Sequence, residues 1–88
     1  MSTASAPSTL FEEIATLFAS APSPQMIVDF HPSQASIDRA SELLELNRQN
    51  QLTEESREEL HQFEQAELLM RLVKARIRAA EAAKKSPR

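Results

Sequence analysis

Leu10, Phe11, Ile14, Leu17 and Phe18 recur at the three- and four-residue intervals that bring side chains onto one face of a helix. This spacing predicts a first helix over about Leu10 to Ser20, with Thr9 and Glu12 at capping-box separation and Pro22 as its stop. Ser23-Pro24 signals a second start. A serine at the N-cap accepts from early amides, and a proline at the first helical position forfeits no hydrogen bond. Met26, Ile27 and Phe30 supply a short apolar face of about two turns. His31-Pro32 then breaks the chain, because the residue before proline is pushed out of the α region. Ser33 caps a third helix carrying Ile37, Ala40, Leu43 and Leu44, which should reach about Asn47 or Asn50.

The sequence has no glycine, so a left-handed residue closing that third helix falls to Asn47 or Asn50, the residue type next most tolerant of the conformation. Thr53 is placed to cap the last helix. Glu54, Glu55, Glu58 and Glu59 crowd its start and cations crowd its end, the distribution a helix macrodipole favours, so it should run from Glu54 into the eighties. At ~1.5 Å per residue that is a rod of roughly 45 Å. The short Asn50 to Thr53 connection should fold it back on the third helix as an αα-hairpin. The expected fold is therefore all-α: two short N-terminal helices followed by an αα-hairpin with a long C-terminal helix. Residues 1–8, small and polar with nothing to bury, read as a disordered tail, residues 9–83 as one helical domain and residues 84–88 as a basic tail.

The last helix carries the sharpest pattern. At ~100° per residue, Glu64, Glu67, Arg71, Lys74 and Arg78 share one narrow polar stripe, and Ala66, Leu68, Leu69, Met70, Leu72, Val73, Ala75, Ile77, Ala79 and Ala80 fill most of the remaining circumference, interrupted by Arg76. An ordinary surface helix has an apolar stripe a little over ~100° wide, and this arc is roughly twice that. Either the first two helices wrap both sides of the rod, or one side is buried against a second copy or another protein. The small size of the rest of the chain favours the second arrangement. Leu68, Leu72, Ala75, Ala79 and Ala82 form a seam of 3.5-residue period suited to close helix pairing. Leu68, Leu69, Leu72, Val73, Ala75, Ile77 and Ala79 are accordingly the expected protein interface.

Chemistry is limited by inventory. His31 and His61 are the only histidines, cysteine is absent, and without glycine there are no phosphate-cradling loops or dinucleotide fingerprints. The sequence points away from an enzyme and implies no cofactor and no small-molecule substrate. His61, Glu64 and Glu67 lie near one helix face, but two carboxylates and an imidazole on an acidic helix start match no established ligand spacing and read as solvated charge. The turn from Glu45 to Ser56 fails as a calcium loop, with Asn50 where glycine is required and Ser56 where a bidentate glutamate is required. Met1 to Pro7 holds no Lys or Arg, and the longest unbroken runs of large aliphatic or Phe residues are only three long, as in Leu68-Leu69-Met70. Neither export nor a membrane span is expected, and with no cysteine a cytoplasmic setting fits.

Charge adds one alternative. Residues 1–70 hold 12 acidic and 3 basic side chains, whereas residues 71–88 hold 7 basic and 1 acidic. The basic end, with Arg76, Arg78, Lys84, Lys85 and Arg88 as its candidate contacts, could take nucleic acid weakly through phosphates. Macrodipole complementarity explains the same distribution without a ligand, and no aromatic side chain lies among the cations.

Ser41–Leu60 (SELLELNRQNQLTEESREEL) and Glu67–Arg76 (ELLMRLVKAR), with Leu10–Ile14 (LFEEI) and Ser23–Ile27 (SPQMI), resemble a group of short helical bacterial proteins common in cyanobacteria. The similarity covers about residues 9 to 78. Where members of that group carry glycine in the hairpin, this chain has Asn50. The group resembles the small partner in two-gene modules beside HNH-type nucleases, as antitoxins do. That resemblance implies a detachable apolar helix surface and no catalytic pocket, and it transfers no residue role.

Overall fold

The computed structural model of the 88-residue chain describes residues 9–85, so the expected N-terminal tail and Arg88 lie outside the described residues. Four helices follow one another: α1 (Thr9–Ala19), α2 (Pro24–Val28), α3 (Gln34–Arg48) and α4 (Glu54–Lys85), with no strand among the described residues. The all-α class follows from the sequence pattern. Thr9 is itself the first helical residue of α1 and does not cap it, since the turn that buries Leu10 already begins there. Lys84 and Lys85 likewise belong to the last turn of α4, because the alanine-rich stretch before them has no residue that would stop a helix.

The connections are set by capping chemistry. The Ser23 side chain accepts from the Met26 amide at 3.2 Å and Pro24 takes the first helical position. Ser33 accepts from the Ser36 amide at 3.2 Å in the same way. After α3, Asn50 turns left-handed at φ 58°, its amide donating to the Asn47 carbonyl at 3.0 Å and the Gln51 amide reaching back to Leu46 at 2.8 Å, a Schellman closure. Thr53 then exchanges hydrogen bonds with Ser56: its Oγ1 accepts from the Ser56 amide at 3.0 Å while its own amide donates to Ser56 Oγ at 2.8 Å. This satisfies two groups at the start of α4 reciprocally.

One turn has no advance signal. Ala21 holds φ 53° just after α1, with its amide donating to the Phe18 carbonyl at 3.1 Å. Left-handed geometry costs an L-residue roughly 1–2 kcal/mol, against ~0.5–1 kcal/mol of extra backbone entropy for glycine. Ala21→Gly should therefore raise the melting temperature slightly, as read by circular dichroism, and a lower midpoint would contradict this account of the turn.

The three N-terminal helices each pack chiefly on α4, which acts as a common spine. Leu10 and Ile14 of α1, Leu43 of α3, and Leu60, Phe63, Ala66 and Met70 of α4 form the buried core, with Phe11, Leu17, Ile27, Phe30, Ala40 and Leu52 half-covering it. On α4 the packed positions Phe63, Ala66, Met70, Val73 and Ile77 step by three and four residues, a heptad-type seam. The other helices bury narrower lines than their patterns suggest. Ile37 and Leu44 stay exposed on α3, since it rests on α4 along Leu43 and Ala40 and no element covers its flank. Met26 of α2 is exposed as well, because a five-residue helix presents little more than one side chain, here Ile27, to the spine.

Candidate interaction surface on the last helix

With α1, α2 and α3 gathered on one side, α4 divides into an inner and an outer face. The inner face runs through Leu60, Phe63, Ala66 and Met70, all buried, then Val73, Lys74 and Ile77, all half-buried. Lys74 is the surprise. The sequence places it in a solvated polar stripe, yet its Nζ donates at 2.7 Å to the Phe30 carbonyl in the connection after α2. The aliphatic stem of a lysine tolerates apolar surroundings while its ammonium satisfies an otherwise unpaired carbonyl. The polar stripe is therefore partly an inward one: Lys74 is half-buried, while Glu64, Glu67, Arg71 and Arg78 stay exposed, with Glu67 and Arg71 3.7 Å apart.

The outer face lies opposite. Leu68, Leu69 and Leu72 remain 45%, 41% and 51% exposed, and Ala75, Ala79, Ala82 and Ala83 continue the line toward Lys85. Of the seven interface residues expected from sequence, Leu68, Leu69, Leu72, Ala75 and Ala79 share this uncovered side. Val73 and Ile77 do not, because they stand in heptad register with Met70 and turn toward the other helices. The outer line steps 68, 72, 75, 79, 82, so α4 bears two seams of the same period on opposite sides.

The candidate nucleic-acid contacts are dispersed. Arg76 stands alone on the outer face, Arg78 and Lys85 flank a shallow groove against Ser23, Pro24 and Val28 of the α2 region, and Lys84 projects elsewhere from the final turn. At ~100° per residue these cations point to different sides and form no single stripe.

Two polar clamps hold the supporting helices and were not legible in advance. Arg39 of α3 grips Glu59 of α4 in a bidentate pair, Nε to Oε2 and Nη2 to Oε1, both 2.8 Å, while its Nη1 reaches Glu42 at 2.9 Å. Hydrogen bonding to both carboxylates holds the guanidinium above its ordinary value. The same contact with Arg39 holds Glu59 below the usual carboxylate value, against the opposing effect of partial burial. Glu13 of α1 accepts from the Ser33 amide at 2.8 Å, from the Ser33 hydroxyl, and from the Ser36 hydroxyl at 2.9 Å. Partial burial pushes the Glu13 carboxyl up, but these hydrogen bonds outweigh it and the net shift is downward. Ser36 is buried, so Glu13 also satisfies a hydroxyl cut off from water.

Both carboxyls thus hold protons less tightly when folded than when unfolded, where the ordinary value is 4.5. Their stabilisation is complete above that value and is lost as pH falls through the lower folded values. Melting temperature should hold steady down to about pH 5 and then decline. The decline should be shallower in Glu13→Gln/Glu59→Gln, and an unchanged slope would show that these clamps contribute nothing.

Among the described residues no three His, Cys, Asp or Glu side chains gather as a metal site, and none of the helices is long and apolar enough to cross a membrane. Comparison with protein families, with curated proteins and with solved structures finds nothing that matches this chain.

Proposed function

We propose that this chain is a non-enzymatic helical protein–protein interaction module that engages its partner through the outer apolar face of α4. The observation that carries the reading is the continuous exposed line of Leu68, Leu69 and Leu72 on a helix whose opposite side is already filled by its own chain. Three large aliphatic side chains grouped on one rigid element are the usual mark of a contact surface. An apolar face on the outside of a helix whose other side is packed by its own chain suits reversible association, the property an antitoxin-like or regulatory partner requires.

Replacing Leu68 by Glu should weaken association at least 100-fold, because an unpaired charge in a desolvated interface costs on the order of 3–5 kcal/mol. Arg78→Ala and Lys85→Ala should change it little, since exposed charges contribute at most about 1 kcal/mol. Association read by sedimentation or calorimetry separates the readings. If the cation variants weaken binding of a duplex oligonucleotide probe while Leu68→Glu has no effect on any association, the basic end is the working surface.

A further inference from the structure

Resting on the reading of the outer face as the binding surface, we propose that its occupant is the same face of a second copy of this chain. The two α4 helices dock antiparallel about a two-fold axis passing between Leu68 and Leu72. The first support is charge along the rod. Over residues 54–70, α4 has six carboxylates and one arginine; over residues 71–85 it has six cations and one carboxylate. An antiparallel pair sets each acidic half against a basic half twice over, whereas a parallel pair would align the two cationic ends. Opposed macrodipoles act in the same direction.

The second support is the register. An outer line stepping by four and three residues is the repeat of a helix that packs on another helix, and an isologous contact needs only one such patch. About this axis Leu68 meets Leu72 of the second copy, while Gln65 and His61 lie over Ala75 and Ala79, whose small side chains admit a close backbone approach. Glu64, flanking the seam, comes opposite Arg78 of the second copy. Arg71 is the cation that the axis brings nearest its own equivalent, and it is already matched by Glu67 at 3.7 Å.

The absence of cysteine makes orientation measurable. His61→Cys and Ala79→Cys introduce single thiols at exposed outer positions of the full chain. In the antiparallel pair, mixing the two variants under mild oxidation yields the mixed disulfide. Each variant alone yields little, because equivalent sites lie ~27 Å apart along the axis at ~1.5 Å per residue. Disulfides formed preferentially by each variant with itself overturn the antiparallel arrangement. Sedimentation equilibrium should give a dimer at micromolar concentration whose dissociation strengthens with added salt, and Leu72→Glu should return it to monomer with helical ellipticity retained. A chain that stays monomeric to millimolar concentration overturns the second copy as occupant and leaves the preceding reading of the surface standing. A dimer that persists in both Leu68→Glu and Leu72→Glu overturns this proposal and the reading it rests on together.

Discussion

Leu43→Ala should lower the melting temperature by roughly 10 °C or more, while the same change at the adjacent Leu44 should move it by no more than a few degrees. Leu43 is fully enclosed at 0% exposure between α3 and the spine, and Leu44 is 51% exposed. Truncating an enclosed leucine removes its transfer energy and leaves a cavity, together about 2–5 kcal/mol. A domain of this size has only about 4–13 kcal/mol in total, and 1 kcal/mol shifts its midpoint by ~4–8 °C. The two substitutions delete the same atoms, so composition and helix propensity cancel in the comparison. Circular dichroism melts of both proteins give the answer, and equal losses would mean that α3 is rotated from the orientation described.

Met70→Glu and Leu72→Glu should behave oppositely in the same spirit, and here the effect at the first position is expected to be larger still. Met70 is buried in the core, whereas Leu72 is exposed on the outer face. A carboxylate at 70 would sit unpaired in the core at a cost of about 3–5 kcal/mol, added to the lost packing, enough to unfold much of the population at room temperature. At 72 the same carboxylate meets water, so ellipticity at 222 nm should persist in the monomer. Loss of helix in both variants would show that the outer line is also required for folding.

Most features controlled by near neighbours were readable from the sequence, the expected cap at Thr9 apart. The serine caps at 23 and 33, the threonine cap at 53 and the left-handed turn, open between Asn47 and Asn50 in the sequence and found at Asn50, each involve groups within a few residues. The rotation of α4 relative to the other helices was not readable. A broad apolar arc is compatible with several packed sides, and the choice is made by how Leu10, Ile14 and Leu43 meet it. That choice turned Lys74 inward and left Leu68 and Leu72 outside. The clamps of Glu13 on Ser33 and of Arg39 on Glu59 join residues twenty apart, and nothing local distinguishes those charges from their exposed neighbours. Ala21 is a different case: its left-handed turn is imposed by the need to redirect the chain from α1 into α2, and alanine gives no sign of it.

The dependence of α1, α2 and α3 on α4 also bears on synthesis, because the element on which all the others rest is the last of the four to leave the ribosome. Until it emerges, Leu10, Ile14 and Leu43 have no counterpart, and isolated helices of 5 to 15 residues are marginal in water. The nascent chain therefore stays largely uncommitted through its first half. Folding then proceeds as docking onto a newly made rod, with Lys74 and the Phe30 carbonyl, 44 residues apart, among the contacts that close late.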